Sequence, residues 1–135
     1  MQTPTSFALT ALLVAAPAFA STGLHRGPLP ITPGTYVRAG TPCNDPSLAA
    51  IFAYDGHALS GPHTSQCHST LISRHGATYR VRTTCAAMGD GTEARAQSET
   101  QVFTLHSTTS LSRHNDRDGA EYRLCPGSTP PVPHG

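Results

Sequence analysis

Between Cys67 and Cys85 the chain reads CHSTLISRHGATYRVRTTC, two runs of alternating character on either side of Arg74-His75-Gly76. A period of two marks a half-buried strand, and a glycine between two such runs marks a hairpin. The flanking cysteines limit the register. With a three-residue loop, His75 to Ala77, opposed residue numbers sum to 152, which pairs Ser73 with Tyr79, Leu71 with Val81, Ser69 with Thr83 and Cys67 with Cys85. A two-residue loop at His75-Gly76 shifts the sum by one and throws the two sulfurs onto opposite faces. The first register is the one compatible with a cross-strand disulfide. It turns Tyr79, Val81, Leu71 and the cystine inward and turns Arg80, Arg82, His68 and Thr70 outward.

A covalent staple suits this composition. Beyond residue 20 the aromatic side chains are Tyr36, Phe52, Tyr54, Tyr79, Phe103 and Tyr122, and there is no tryptophan. A core that small leaves little margin over chain entropy. Closing a loop of the Cys67–Cys85 length contributes about 3 kcal/mol in the chain-entropy picture. Four cysteines allow three connectivities. With Cys67 and Cys85 joined, Cys43 pairs with Cys125, linking the region after the first strand to the end of the last. Such a bond fits a sheet whose first and last strands are neighbours. The absence of a C-x-x-C pair argues against a zinc–thiolate site and against thiol-redox chemistry.

The cysteine reading requires an oxidising compartment, and the N-terminus supplies a route. Residues 1–20 carry no charge, contain the apolar run Phe7 to Ala16, and end in Ala18-Phe19-Ala20. Although a basic start is missing, this is the pattern of a signal peptide cleaved before Ser21. No later segment is apolar enough to span a membrane. We therefore expect a periplasmic or secreted protein.

Residues 21–33 are rich in glycine and proline and read as a loose lead-in; residues 126–135 read as a disordered proline-rich tail. The domain between them, 34–125, shows repeated strand and turn signals. TYVRAG is a first strand, and LAAIFAYDGHALSG is two runs around Asp55-Gly56, with alanines at its start equally suited to a helical turn. After the cysteine hairpin come a loop, AAMGDGTEARAQ, then TQVFTLH, SLSRH, a turn at NDRDG, and AEYRLC. The expected fold class is all-β: a small antiparallel barrel or sandwich of seven or eight strands stapled by two disulfides.

The series GTYVRAGTPC, YDG, SQC, GATYRVRTTC, GDG and YRLCP resembles small exported proteobacterial proteins in which four cysteines staple a compact β domain. That resemblance implies periplasmic location and β architecture, and it carries no catalytic residues. Gly34-Thr35-Tyr36 near the start and Tyr122-Arg123 near the end are also similar to the opening G-x-W and closing Arg of lipocalin-like barrels, with tyrosine in place of tryptophan.

The motifs for chemistry are sparse. Neither G-x-S-x-G nor H-E-x-x-H occurs. In HNDRDG, Asp116, Asp118 and Gly119 fit part of a calcium loop, but His114 and Cys125 stand where an oxygen donor and a bidentate Glu are needed. His57, His63 and His68 are irregularly spaced and read as surface residues, so no metal and no cofactor is expected. A formal charge of +1 gives no reason to expect nucleic acid or anionic lipid as partner. What remains is a small cationic surface, Arg80, Arg82 and His68, on a rigid hairpin. The expected function is an exported binding module, an inhibitor or partner-binding protein of the cell envelope recognising a protein or glycan through loops such as AMGDGTEA and GPHTSQ. A small-ligand or metal carrier of lipocalin-like type is the alternative, and an envelope enzyme of unfamiliar type a third reading.

Overall fold

The computed structural model describes residues 27–114 and 119–128. The expected signal peptide, the start of the lead-in, residues 115–118 of the expected NDRDG turn and most of the C-terminal tail lie outside the described residues.

Eight antiparallel strands form one sheet that curls into a nearly closed barrel. In chain order they are β1 (Gly34–Arg38), β2 (Ile51–Tyr54), β3 (Leu59–Ser60), β4 (Thr64–His75), β5 (Thr78–Met88), β6 (Glu93–Leu105), β7 (Ser110–His114) and β8 (Gly119–Leu124). The order across the sheet is β3-β2-β1-β8-β7-β6-β5-β4, so β1 and β8 are neighbours, as the Cys43–Cys125 pairing requires. Both disulfides form as expected, Cys43 with Cys125 and Cys67 with Cys85. The seam between β3 and β4 is bridged by Ser69, whose buried Oγ accepts the Leu59 N–H at 2.9 Å. A single 3-10 turn, Leu48–Ala50, leads into β2, where the alanines of SLAAIFA favour helical geometry before β-branched Ile51 starts the strand.

The hairpin differs from expectation at its tip. His75 pairs with Thr78 across a two-residue turn, Gly76-Ala77, with Gly76 at φ 58°. That is a turn position glycine fills at little cost. Ser73 consequently faces Arg80 rather than Tyr79, and a bulge between Leu71 and Ser73 absorbs the slip. Below the bulge the expected register holds, from Leu71 with Val81 to Cys67 with Cys85. Tyr79 and Val81 are buried, but Leu71 is 41% exposed. β3 is only two residues long and leaves that stretch of β4 uncovered.

A second difference is the segment read as a loop, AAMGDGTEARAQ. β5 runs on to Met88 and β6 starts at Glu93, leaving a tight turn closed by Met88 N–H to Thr92 O and Gly91 N–H to Met88 O, both 2.9 Å. The Asp90 carboxylate accepts the Thr92 N–H at 3.0 Å and its hydroxyl at 2.7 Å, which holds the carboxyl below its ordinary pKa. Apolar alternation barely announces these strand ends, because Ala87 is their one buried apolar side chain and the rest are polar, small or exposed.

All six aromatic residues named above pack into one cluster with Leu29, Ile31, Leu59, Val81 and Leu111. Phe52 is its centre, stacked on Tyr36 at 5.1 Å and edge-on to Tyr122 at 5.2 Å. Leu29 and Ile31 come from the stretch expected to be a loose lead-in, yet both are essentially inaccessible to water. Residues 27–33 cross the base of the barrel and plug it. Their backbone binds the interior: Thr32 N–H donates to Thr108 O at 2.8 Å, the Tyr36 hydroxyl to Thr32 O at 2.7 Å, and the Tyr54 hydroxyl to Leu29 O at 2.9 Å. Gly27 passes so close to Tyr54 that a Cβ there would lie 2.1 Å from the phenol oxygen.

Burial raises both phenols. The Tyr36 pKa moves from 10.0 to about 12, chiefly through loss of hydration and secondarily through Tyr54; the Tyr54 pKa also rises, again through burial. Unfolding therefore releases protons once the pH exceeds the ordinary tyrosine value. We expect stability to be unaffected by these groups below about pH 10 and to fall between about pH 10 and 12, by about 2–3 kcal/mol for Tyr36 alone. Urea midpoints measured across that range should fall, and Tyr36→Phe should flatten the decline. A midpoint independent of pH there would contradict buried, protonated phenols.

Candidate functional site

The aromatic cluster fills the base and waist of the barrel but not its other end, where β5 ends and β6 begins. Among the described residues β7 pairs with β6 over Val102–Leu105, whereas β6 continues on β5 to Glu93. The three strands β4, β5 and β6 therefore stand as a wall above the rest of the rim. Along the inward face of β6 the side chains change character: Phe103 is buried in the core, and above it stand Gln101, Glu99 and Gln97, opposite Val81, Thr83 and Cys85 of β5. Interior positions of a small closed barrel are normally filled by packing side chains. Here they switch to amides and a carboxylate.

These residues line an open cup of about 390 Å³. Phe52 and Leu59 form its apolar floor, Thr83 and the Cys85 half of the cystine one wall, and Ser60 and Thr64 the opposite lip. Arg113, on β7 directly across from Phe103, supplies the cation. Its guanidinium carbon lies 5.8 Å from the Phe52 ring centre and 5.7 Å from that of Tyr122, so two core aromatics hold it in place. Among the described residues no carboxylate oxygen comes within 4.0 Å of it, Glu99 included. The cup thus holds a preoriented arginine and an acid that have not closed on each other.

The two loops expected to bind lie side by side at this rim. A Cβ on Gly89 would sit 2.4 Å from the Pro62 carbonyl oxygen and 3.1 Å from the His63 Cα, so the β5–β6 turn rests directly on the β3–β4 connection. An outer groove of about 380 Å³ runs beside this contact past Gly61, Pro62 and Gln66, where Gln66 takes a left-handed φ of 50° as β4 is interrupted.

Arg80, Arg82 and His68 are exposed on the outer face of the wall, where Arg80 opposes Ser73, Arg82 opposes Thr70 and His68 opposes Thr84. They share a face but do not line the cup. His57 and His63 are exposed as well, and among the described residues no three His, Cys, Asp or Glu side chains gather as a metal site. No helix among the described residues is long and apolar enough to cross a membrane.

One polar cluster invites comparison with a nucleophilic triad. His106 Nε2 lies 2.7 Å from Ser112 Oγ and 3.1 Å from Glu121 Oε2, and Ser112 donates to Glu121. A catalytic relay uses the two different ring nitrogens for nucleophile and acid. Here one nitrogen faces both partners, and Ser112 is buried at 6% exposure. The cluster braces the outer side of β7 and β8.

Sequence reasoning missed Gln97, Glu99, Gln101 and Arg113. Their signal was present: Gln97, Glu99, Gln101 and Phe103 fall at every second position and so share one face of a strand. Gln97 falls within AAMGDGTEARAQ, whose glycines and polar residues predict a loop, so the pattern is cut short at its start. Comparison with family models, with curated proteins and with solved structures finds no match to this chain.

Proposed function

We propose that this chain is an exported binding module that receives a polar ligand, or a polar group projecting from a partner, in the cup at the mouth of its barrel. The observation that carries this reading is the change of the β6 inward face from Phe103 to Gln101, Glu99 and Gln97 above a filled core. Gln97 and Glu99 are exposed and Gln101 is half-buried, so their polar groups stay hydrated and accessible while lining an open cavity, which favours a role in recognition. Arg113, fixed on two rings, loses little freedom when it binds, which is how preorganisation raises affinity. Two disulfides within one small domain favour an oxidising compartment, periplasmic or extracellular. The filled interior favours a polar guest at the mouth over an apolar molecule carried inside. Catalysis is not part of the proposal.

The test is amide NMR of the oxidised chain titrated with a panel of polar metabolites, monosaccharides and short peptides. We expect saturable shifts at Gln97, Gln101, Arg113 and Thr83 with at least one class of probe, and their loss in Gln101→Leu. Shifts confined to Arg80, Arg82 and His68 would move the binding surface to the outer wall and overturn the cup.

A further inference from the structure

On the reading that the cup is the binding site, we infer that its ligand is a short peptide with free termini, its carboxylate on Arg113 and its amino end toward Glu99. Three observations converge. First, the cup carries one fixed cation and one carboxylate that lie more than 4.0 Å apart. A neutral sugar supplies a counterion to neither charge, and a simple anion meets Glu99 as a like charge. A zwitterion satisfies both, and the planar guanidinium matches a carboxylate in a two-bond fork.

Second, the two charges come from different levels of the barrel. Arg113 opposes Phe103, and Glu99 lies four residues further along β6, a backbone stagger of about 13 Å of strand rise. A di- or tripeptide carries its two termini further apart than a single amino acid does, which suits charges set at separate levels, and a volume of about 390 Å³ accommodates it. Third, Gln97 and Gln101 flank Glu99 on the same face. Each amide offers a donor and an acceptor, the pair that a peptide bond needs. Above Val102 β6 is paired with β5 on one edge and has no strand on the other among the described residues, and that free edge offers further N–H and C=O groups along the same wall.

The experiment titrates the oxidised chain with L-alanyl-L-alanine and trialanine, with their N-acetyl and C-terminal amide forms, and with maltose, following amide shifts. Free peptides are expected to move Gln97, Gln101, Arg113 and Thr83. Blocking either terminus is expected to weaken binding by about tenfold or more. Arg113→Lys keeps the charge but removes the fork, and should weaken every form that has a free carboxylate. Glu99→Gln should weaken the free peptides and leave the N-acetyl forms unchanged, a pattern that loss of structure does not produce. Blocked peptides binding as well as free ones would overturn the inference. Maltose moving the cup residues while the peptides do not would overturn it too, and would leave the cup as a site. If no probe moved the cup residues in a chain whose far-UV circular dichroism was native, both the inference and the cup would fall.

Discussion

Replacing Cys43 and Cys125 with serine is expected to remove about 4.5 kcal/mol of stability, more than the same change at Cys67 and Cys85, for which about 3 kcal/mol is expected. The difference follows from chain length. The first bond joins residues 82 apart and the second residues 18 apart, so the first excludes far more of the unfolded ensemble. It also acts on the folded state at a vulnerable place. Residues 39–50 form a long connection between β1 and β2, and besides the cystine they are tied down by few bonds, among them Thr41 N–H to Arg38 O and Arg123 to Thr41 O. Total stabilities of small domains run from about 5 to 15 kcal/mol, so the double variant should lie close to its unfolding threshold at room temperature. Urea titration of each serine pair checks this, with a steeper slope for Cys43→Ser/Cys125→Ser because its unfolded chain is more expanded. An equal or smaller loss than for Cys67→Ser/Cys85→Ser would mean that the long bond relieves nothing in the unfolded state, or that it strains the folded one.

How far the sequence revealed this fold depended on where each strand meets the core. β1, β2, β5 up to Cys85, and β7 were readable because one of their faces is apolar, and Cys67 opposite Cys85 tied register to chemistry. The hairpin tip was not readable in detail. Sequence does not say that Gly76 will take φ 58° and that a bulge at Ile72 will then restore the pairing, since either end of that compensation alone puts the sulfurs out of line. The upper ends of β5 and β6 carry a loop-like sequence because, apart from the buried Ala87, their residues face solvent or the cup, which erases the period-two contrast. The same absence of contrast hid Glu99 and its neighbours. The site was thus least visible where the strands depart from core packing, as expected of positions chosen for something other than stability. Arg80, Arg82 and His68 were legible for the opposite reason: the arginines alternate with buried Tyr79 and Val81 on β5, and His68 lies between Cys67 and buried Ser69 on β4.

The base of the barrel should be as sensitive as the staples. Leu29→Ala is expected to destabilise the chain by about 2–5 kcal/mol, the range for removing a buried leucine from a core that relaxes only partly. Leu29 is 0% exposed and packs into the aromatic cluster, while its carbonyl accepts the hydroxyl of Tyr54. The size of the loss distinguishes two states of residues 27–33. If the segment is an integral plug, the full penalty appears in global unfolding, and amides of β1 and β2 lose protection from hydrogen exchange in step with it. If it merely rests on a barrel that closes without it, the variant peels locally, global stability drops by less than about 1 kcal/mol, and exchange rises only near Leu29 and Thr32. The first outcome is expected, because detachment would expose the buried Leu29 and Ile31 and would take one of two acceptors from each of the Tyr36 and Tyr54 hydroxyls, leaving Thr108 O and Gly56 O. Folded Leu29→Ala should still bind whatever the wild type binds, with unchanged affinity. The plug and the cup lie at opposite ends of the barrel, and Phe52, Tyr36 and Tyr122 fill the space between them. A loss of binding that outran the loss of folded protein would show that the aromatic column transmits the state of its base to Arg113.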